Sequence, residues 1–167
     1  MKRTETMTKK LFAVVGIIIA ILMLFTACSA TAATKPQPDE GAQTYEISGK
    51  CWAEINGDVI KVCGTSDIDE GTNGTLSVYS SIGKELALEK ITQTKKGEVI
   101  SKEFKIDAGW PDDVVVFLVF DTDQSDRQRD EIKAKYGDKF QNITGENTVW
   151  SSAGIAVVFQ SDVYTVR

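Results

Sequence analysis

The side chains of this 167-residue chain that could do chemistry fall into a few small groups, and histidine is in none of them, because the chain has none. Its absence removes the commonest general base, the usual partner of Ser and Cys nucleophiles, and the commonest transition-metal ligand. Asp67, Asp69, Glu70 and Asn73 gather oxygen donors within one short stretch, the ligand type that calcium takes, although their spacing is not that of an EF-hand loop. The plainer reading is an acidic turn whose Asp and Asn side chains bond their own backbone. Asp121, Asp123 and Asp126 form a second oxygen cluster, in competition with a helix-capping role for Ser125 and Asp126. Trp150, Trp110 and Trp52, with Tyr79 and Tyr164, are candidates for a platform that stacks on sugar rings. Trp150 leads because it lies in the loop-like stretch 147–152. The alternative is that these aromatics fill or edge a core. Cys51 and Cys63 flank Asn56-Gly57-Asp58 symmetrically enough to raise the question of a disulfide.

Short β-like segments separated by turn residues must position these groups. Residues 51–55 and 59–63 flank a strong hairpin signal, since Asn-Gly readily takes positive φ. A three-residue loop over 56–58 sets Cys51 directly opposite Cys63, within disulfide reach. A two-residue Asn56-Gly57 loop sets Cys51 against Val62 and turns Cys63 to the other face. The sequence does not choose between them, and two small buried hydrophobes are the alternative to a bridge. Further strands are expected over 76–79, 86–88 and 99–106. Residues 114–120, VVVFLVF, read as a central strand, because an unbroken β-branched and aromatic run suits burial on both faces. Residues 154–160 and 162–166 close the set. One helix is expected over 126–136, with Ser125 and Gln128 as a capping box, Ile132 and Tyr136 as its apolar stripe and Gly137 as its stop. Ser81-Ile82-Gly83-Lys84 spells the S-x-x-K of Ser–Lys acylating chemistry, but it sits in a Gly-containing turn and reads as solvated. No catalytic set emerges, so no enzyme activity is expected.

The first 30 residues decide the address. Lys2, Arg3, Lys9 and Lys10 precede 15 apolar residues over 11–25 and a small-residue exit, the three-part pattern of a secretory signal. The run is short for a membrane span, which wants roughly 20 residues. Phe25-Thr26-Ala27-Cys28 resembles the lipobox of bacterial lipoproteins, with Phe25 where Leu is usual. The resemblance implies that 1–27 is a signal peptide, that Cys28 is lipidated, and that the protein sits on a cell membrane facing the extracytoplasmic side. Residues 28–44 are small and polar and read as a disordered tether, leaving 45–167 as one domain. Export and an even cysteine count once Cys28 is set aside favour the bridge. Four basic residues and Glu5 precede residue 28, which leaves 15 Lys and Arg against 23 Asp and Glu, a net charge of −8. That balance excludes nucleic acid and basic-patch adsorption to anionic lipid, both of which need Lys and Arg clusters.

Gly64-Thr65-Ser66-Asp67-Ile68-Asp69-Glu70-Gly71-Thr72, followed by the alternating Leu76-Ser77-Val78-Tyr79, resembles the first hairpin and loop of bacterial extracellular immunoglobulin-like domains. It departs from them at Asp67, at Glu70, in the missing loop Pro and in the intervening Asn73-Gly74. The resemblance implies an all-β, immunoglobulin-like antiparallel β-sandwich with one short helix in a connection, as does the number of short strands. The expected function is a binding or interaction module for a glycan or surface protein, needing no cofactor unless calcium occupies the acidic loop. The alternative is a structural envelope lipoprotein with no small ligand.

Overall fold

The computed structural model describes residues 34–122 and 128–167. The strands are β1 (Tyr45–Glu46), β2 (Gly49–Asn56), β3 (Val59–Ser66), β4 (Asn73–Ser80), β5 (Glu85–Thr92), β6 (Ile100–Lys105) and β7 (Asp113–Phe120). Helix α1 (Asp130–Tyr136) precedes β8 (Ile143–Thr144), β9 (Thr148–Trp150), β10 (Ile155–Gln160) and β11 (Tyr164–Thr165). One sheet has the order β2-β3-β6. The other runs β5-β4-β7-β10-β9, with β11 also pairing β7. All of these pairs are antiparallel. A two-residue parallel pair, β1 with β8, stands apart. Lettering β2 to β7 as A, B, C, C′, E and F, and β10 as G, gives A-B-E facing C′-C-F-G, the immunoglobulin-like sandwich.

β7 is central because both of its faces are largely buried. Val114, Val116, Leu118 and Phe120 point between the sheets and join the main core, all essentially unexposed. Val115 and Phe117 point the other way and are also buried, in a smaller cluster with Tyr79, Val119, Val158 and Val163. Each such side chain contributes about 1.5–3 kcal/mol by leaving water. Close approach of the sheets also needs Gly64. A Cβ there would lie 2.7 Å from Leu118 Cδ2. The last strand is interrupted: Ser161 bonds Val116 through both its backbone and its hydroxyl, and β11 then resumes the line along β7.

The β2–β3 hairpin corrects both expected registers. Asn56 pairs with Val59, so the loop is Gly57-Asp58, with Gly57 alone at positive φ (60°), as a type II′ turn requires. Cys51 therefore lies opposite Gly64, and Cys63 opposite Trp52. Successive strand residues face opposite ways, so Cys51 enters the core and Cys63 turns to the outer face. Both are buried free cysteines, and the expected disulfide is absent.

The helix is shorter than expected. It starts at Asp130, and Arg129 at its cap position makes no side-chain capping bond. Ser125 and Asp126 lie outside the described residues. Gln128 bridges strands instead of capping the helix. Its amide donates to the carbonyls of Asn73 and Asp121 and accepts from the Asn73 N–H. Ile132 and Tyr136 are buried and Gly137 ends the helix at φ 84°, as expected.

The stretch read as a tether meets the domain before Tyr45. The Asp39 N–H donates to Asn142 Oδ1, and its carboxylate accepts from Gln141 and Asn142, each at 3.0 Å. These bonds hold the Asp39 carboxyl below its ordinary pKa.

Candidate functional site: a groove on the outer face of the larger sheet

The face of the β5-β4-β7-β10-β9 sheet turned away from the core carries a concave groove of about 350 Å³. Strand register explains its shape. On this face β4 presents Thr75, Ser77 and Tyr79, opposed on one side by Leu88 and Glu85 of β5 and on the other by Val119 and Phe117 of β7. Ala156 and Val158 of β10 and Val149 of β9 extend the floor. Small side chains, Thr75, Ser77 and Ala156, occupy the middle. Tyr79 and Leu88 flank them, and Trp150, paired with Ile155 at the end of β9, borders the groove. Val163 also packs against the cluster of Val115 and Phe117 on this face.

Aromatic order fixes one wall. The Tyr79 and Phe117 rings meet edge to face, 5.4 Å apart at 85°. Tyr79 Oη donates to Glu85 Oε2 at 2.9 Å. Burial first, and then the Glu85 hydrogen bond and charge, raise the Tyr79 pKa, so the phenol stays protonated and donates. Thr75 and Ser77 are 7% and 2% exposed, line the groove, and make no side-chain hydrogen bond with another described residue. The hydroxyls are open to the groove, since neither is among the fully enclosed polar atoms left without a partner. Trp150 is 38% exposed at the opposite rim, beside the 151–154 turn, where the Ser151 and Gly154 backbones bond each other.

Of the aromatic candidates, the groove takes Trp150 and Tyr79 and leaves the rest. Trp150 lies at the end of β9, not in a loop. Trp110 is 7% exposed within the main core, its carbonyl accepting from Arg167. Trp52 is on the opposite sheet, with the Lys50 ammonium 5.1 Å above its ring. Tyr164 Oη accepts the Ala53 N–H and so helps tie the sheets together.

The acidic loop is disassembled into separate roles. Asp67 accepts the Ser48 N–H. Asp69 is held by Lys96 and Lys135, each at 2.5 Å. Burial alone would raise the Asp69 pKa, but the hydrogen bonds and charges of the two lysines outweigh it and the carboxyl titrates below its ordinary value. Asn73 accepts from the Thr92 hydroxyl. Lys135 also lies 4.8 Å from the Tyr45 ring, so this knot joins the loop, α1 and the N-terminal strand. Among the described residues, no three or more Cys, Asp or Glu side chains are grouped to hold a metal ion. Asp121 lines the groove, whereas Asp123 and Asp126 fall outside the described residues. Ser81–Lys84 forms the β4–β5 turn, closed by Gly83 N–H to Ser80 O and by Lys84 N–H to the Ser80 hydroxyl. Cys28 also lies outside the described residues, among which no helix is long and apolar enough to cross a membrane.

The sequence pointed to the rim and missed the floor. The alternation Thr75-Leu76-Ser77-Val78-Tyr79 carries the signal, since it puts three hydroxyl side chains on one strand face. Facing them across β7 is the second apolar face of VVVFLVF. No family model, curated protein or solved structure matches the chain.

Proposed function

We propose that this protein is a lipid-anchored extracytoplasmic binding module whose ligand seats in the groove on the outer face of the larger sheet. The groove carries the reading. Its volume falls within the range of small-molecule sites, and it combines an apolar floor with a few convergent polar groups, as such sites do. Trp150, 38% exposed, borders the groove and brings aromatic surface of the kind that stacks on a sugar or another flat ligand. At the groove the Glu85 carboxylate accepts from Tyr79, which holds one wall in place for a ligand. Cys28 supplies the anchor through the lipobox-like Phe25-Thr26-Ala27-Cys28, and the acidic domain contributes no basic patch to hold it on a membrane.

A thermal-shift screen of the protein and its Trp150→Ala variant against chito-oligosaccharides and peptidoglycan fragments tests the reading, since a bound ligand stabilises the folded state by mass action. At least one ligand should raise the melting temperature of the wild type and lose that effect in the variant. A flat screen would favour a structural envelope role without a small ligand.

A further inference from the structure

Resting on the groove as the binding site and on lipidation at Cys28, we infer that the ligand is a single-chain amphiphile of the bilayer: one hydrocarbon tail lying along the floor, with its polar head at the 150–154 end. The shape points to a chain. All five strands of the sheet contribute to the lining, and with neighbouring strands about 4.8 Å apart the outermost backbones stand roughly 19 Å from each other. A hollow of about 350 Å³ drawn out over that span is long and narrow. Strand register makes its floor continuous. Leu88 leads through Ser77 to Phe117, and one row further on Thr75 leads through Val119 to Val158. Ala156, the next residue of β10 on this face, then meets Val149. The apolar stripe therefore runs obliquely from β5 to β9, crossing the small hydroxyl side chains of β4. A compact ring would cover one part of it. A tail can follow the whole, gaining about 0.8 kcal/mol for each methylene it buries.

The N-terminal stretch points to the bilayer as the source. Gln141 accepts the Lys139 N–H and donates to the Asp39 carboxylate, and the Lys139 carbonyl accepts the Ile155 N–H. Gly154 and Ile155 line the groove. The chain is thus pinned to the domain beside one end of the groove, and Cys28 precedes Asp39 by 11 residues. Eleven residues span at most about 40 Å. A lipid at Cys28 therefore keeps that end of the groove close to a bilayer, a store of molecules built from a tail and a polar head. Trp150 borders the same end, and tryptophan favours places where apolar and wet surroundings meet.

The test uses the full, anchored protein in phosphatidylcholine vesicles, irradiated with an octyl glucoside that carries a diazirine at its chain end. Peptide mass spectrometry then maps the label. It should fall on the peptides holding Leu88 and Phe117, away from the 150–154 end. Excess unlabelled octyl glucoside should remove it, and glucose at the same concentration should leave it in place. Leu88→Asp should lower the label at Phe117 severalfold. Leu88 is 40% exposed on the edge strand, and a melting temperature measured in parallel shows that the variant has folded. Label spread evenly over both sheets, label at the 150–154 turn, or displacement by glucose would overturn the tail assignment and leave the groove reading standing. An unlabelled groove would also overturn it. The Trp150-dependent screen with soluble oligosaccharides decides the groove reading separately, and palmitate labelling decides the anchor.

Discussion

Cys51 and Cys63 occupy facing strands one register step out of line, Cys51 opposite Gly64 and Cys63 opposite Trp52, so that their thiols leave the sheet on opposite sides. Burial, followed by the nearby Cys63, pushes the Cys51 thiol up to about 12, and burial also raises Cys63. Both are therefore protonated and unreactive at neutral pH. Treating the native protein with iodoacetamide should leave both unmodified, and the same treatment in denaturant without reductant should add two labels. Two thiols still blocked in denaturant until reductant is added would restore the disulfide.

The knot around Asp69 should be felt in stability. Asp69→Asn leaves Lys135 beside Tyr45 and Tyr136 without its counter-charge, and should cost about 1–2 kcal/mol in denaturant unfolding at pH 7. The native carboxyl has a depressed pKa, so its contribution is complete above the unfolded-state value near ~3.9 and fades as pH falls through the lower native value. The gap between wild type and variant should accordingly narrow below about pH 4. A gap that stays constant to low pH would mean that the two lysines are not what Asp69 contributes.

The sandwich was legible because most of its strands advertise themselves. VVVFLVF could only be central, and the residues around Asn56-Gly57 could only be a hairpin. The register was not legible, since moving the loop by one residue, from Asn56-Gly57 to Gly57-Asp58, keeps every local preference satisfied and is decided by which side chains the opposite sheet will bury. The short strands β1, β8 and β9 escaped for a related reason: two or three residues carry no periodicity, and only their tertiary partners define them. Trp150 was visible as a candidate, whereas the groove beside it is a property of five strands laid side by side. Glu85 and Leu88 enter it through pairing with Tyr79 and Ser77. The calcium reading came from counting oxygens without knowing that Lys96 and Lys135 come from elsewhere in the chain to take Asp69.

Gly64 should tolerate no side chain. Gly64→Ala brings a methyl group against Leu118 between the sheets and should destabilise by about 1–3 kcal/mol. Combined with Leu118→Val, it should cost less than the sum of the two single changes, because the two residues share one space. Strict additivity would show that the sheets part without resistance there.

The two faces of the groove should respond differently to truncation. Phe117 is 1% exposed and packs against Tyr79, so Phe117→Ala should cost about 3–5 kcal/mol. Trp150, 38% exposed, should lose about 1–2 kcal/mol when replaced by Ala, with its main effect on ligand binding. A large stability loss at Trp150 would reassign it from rim to core.

Cys28→Ala tests the address. Metabolic labelling with palmitate should mark the wild type and leave the variant unmarked, and fractionation should move the variant off the membrane or leave it unprocessed. Palmitate label persisting in the variant would overturn lipidation at Cys28.

The central claim is that the outer face of the larger sheet is a ligand site, and the most direct measurement is a heteronuclear NMR titration of the labelled protein with a library of small aromatic and aliphatic fragments. The fragments that bind should shift the resonances of Ser77, Phe117, Val119, Val149 and Ala156 and the Trp150 indole together, and leave those around Trp52 on the opposite sheet in place. Binding fragments that shift the Trp52 face instead, or a library that leaves the groove resonances unmoved, would contradict it.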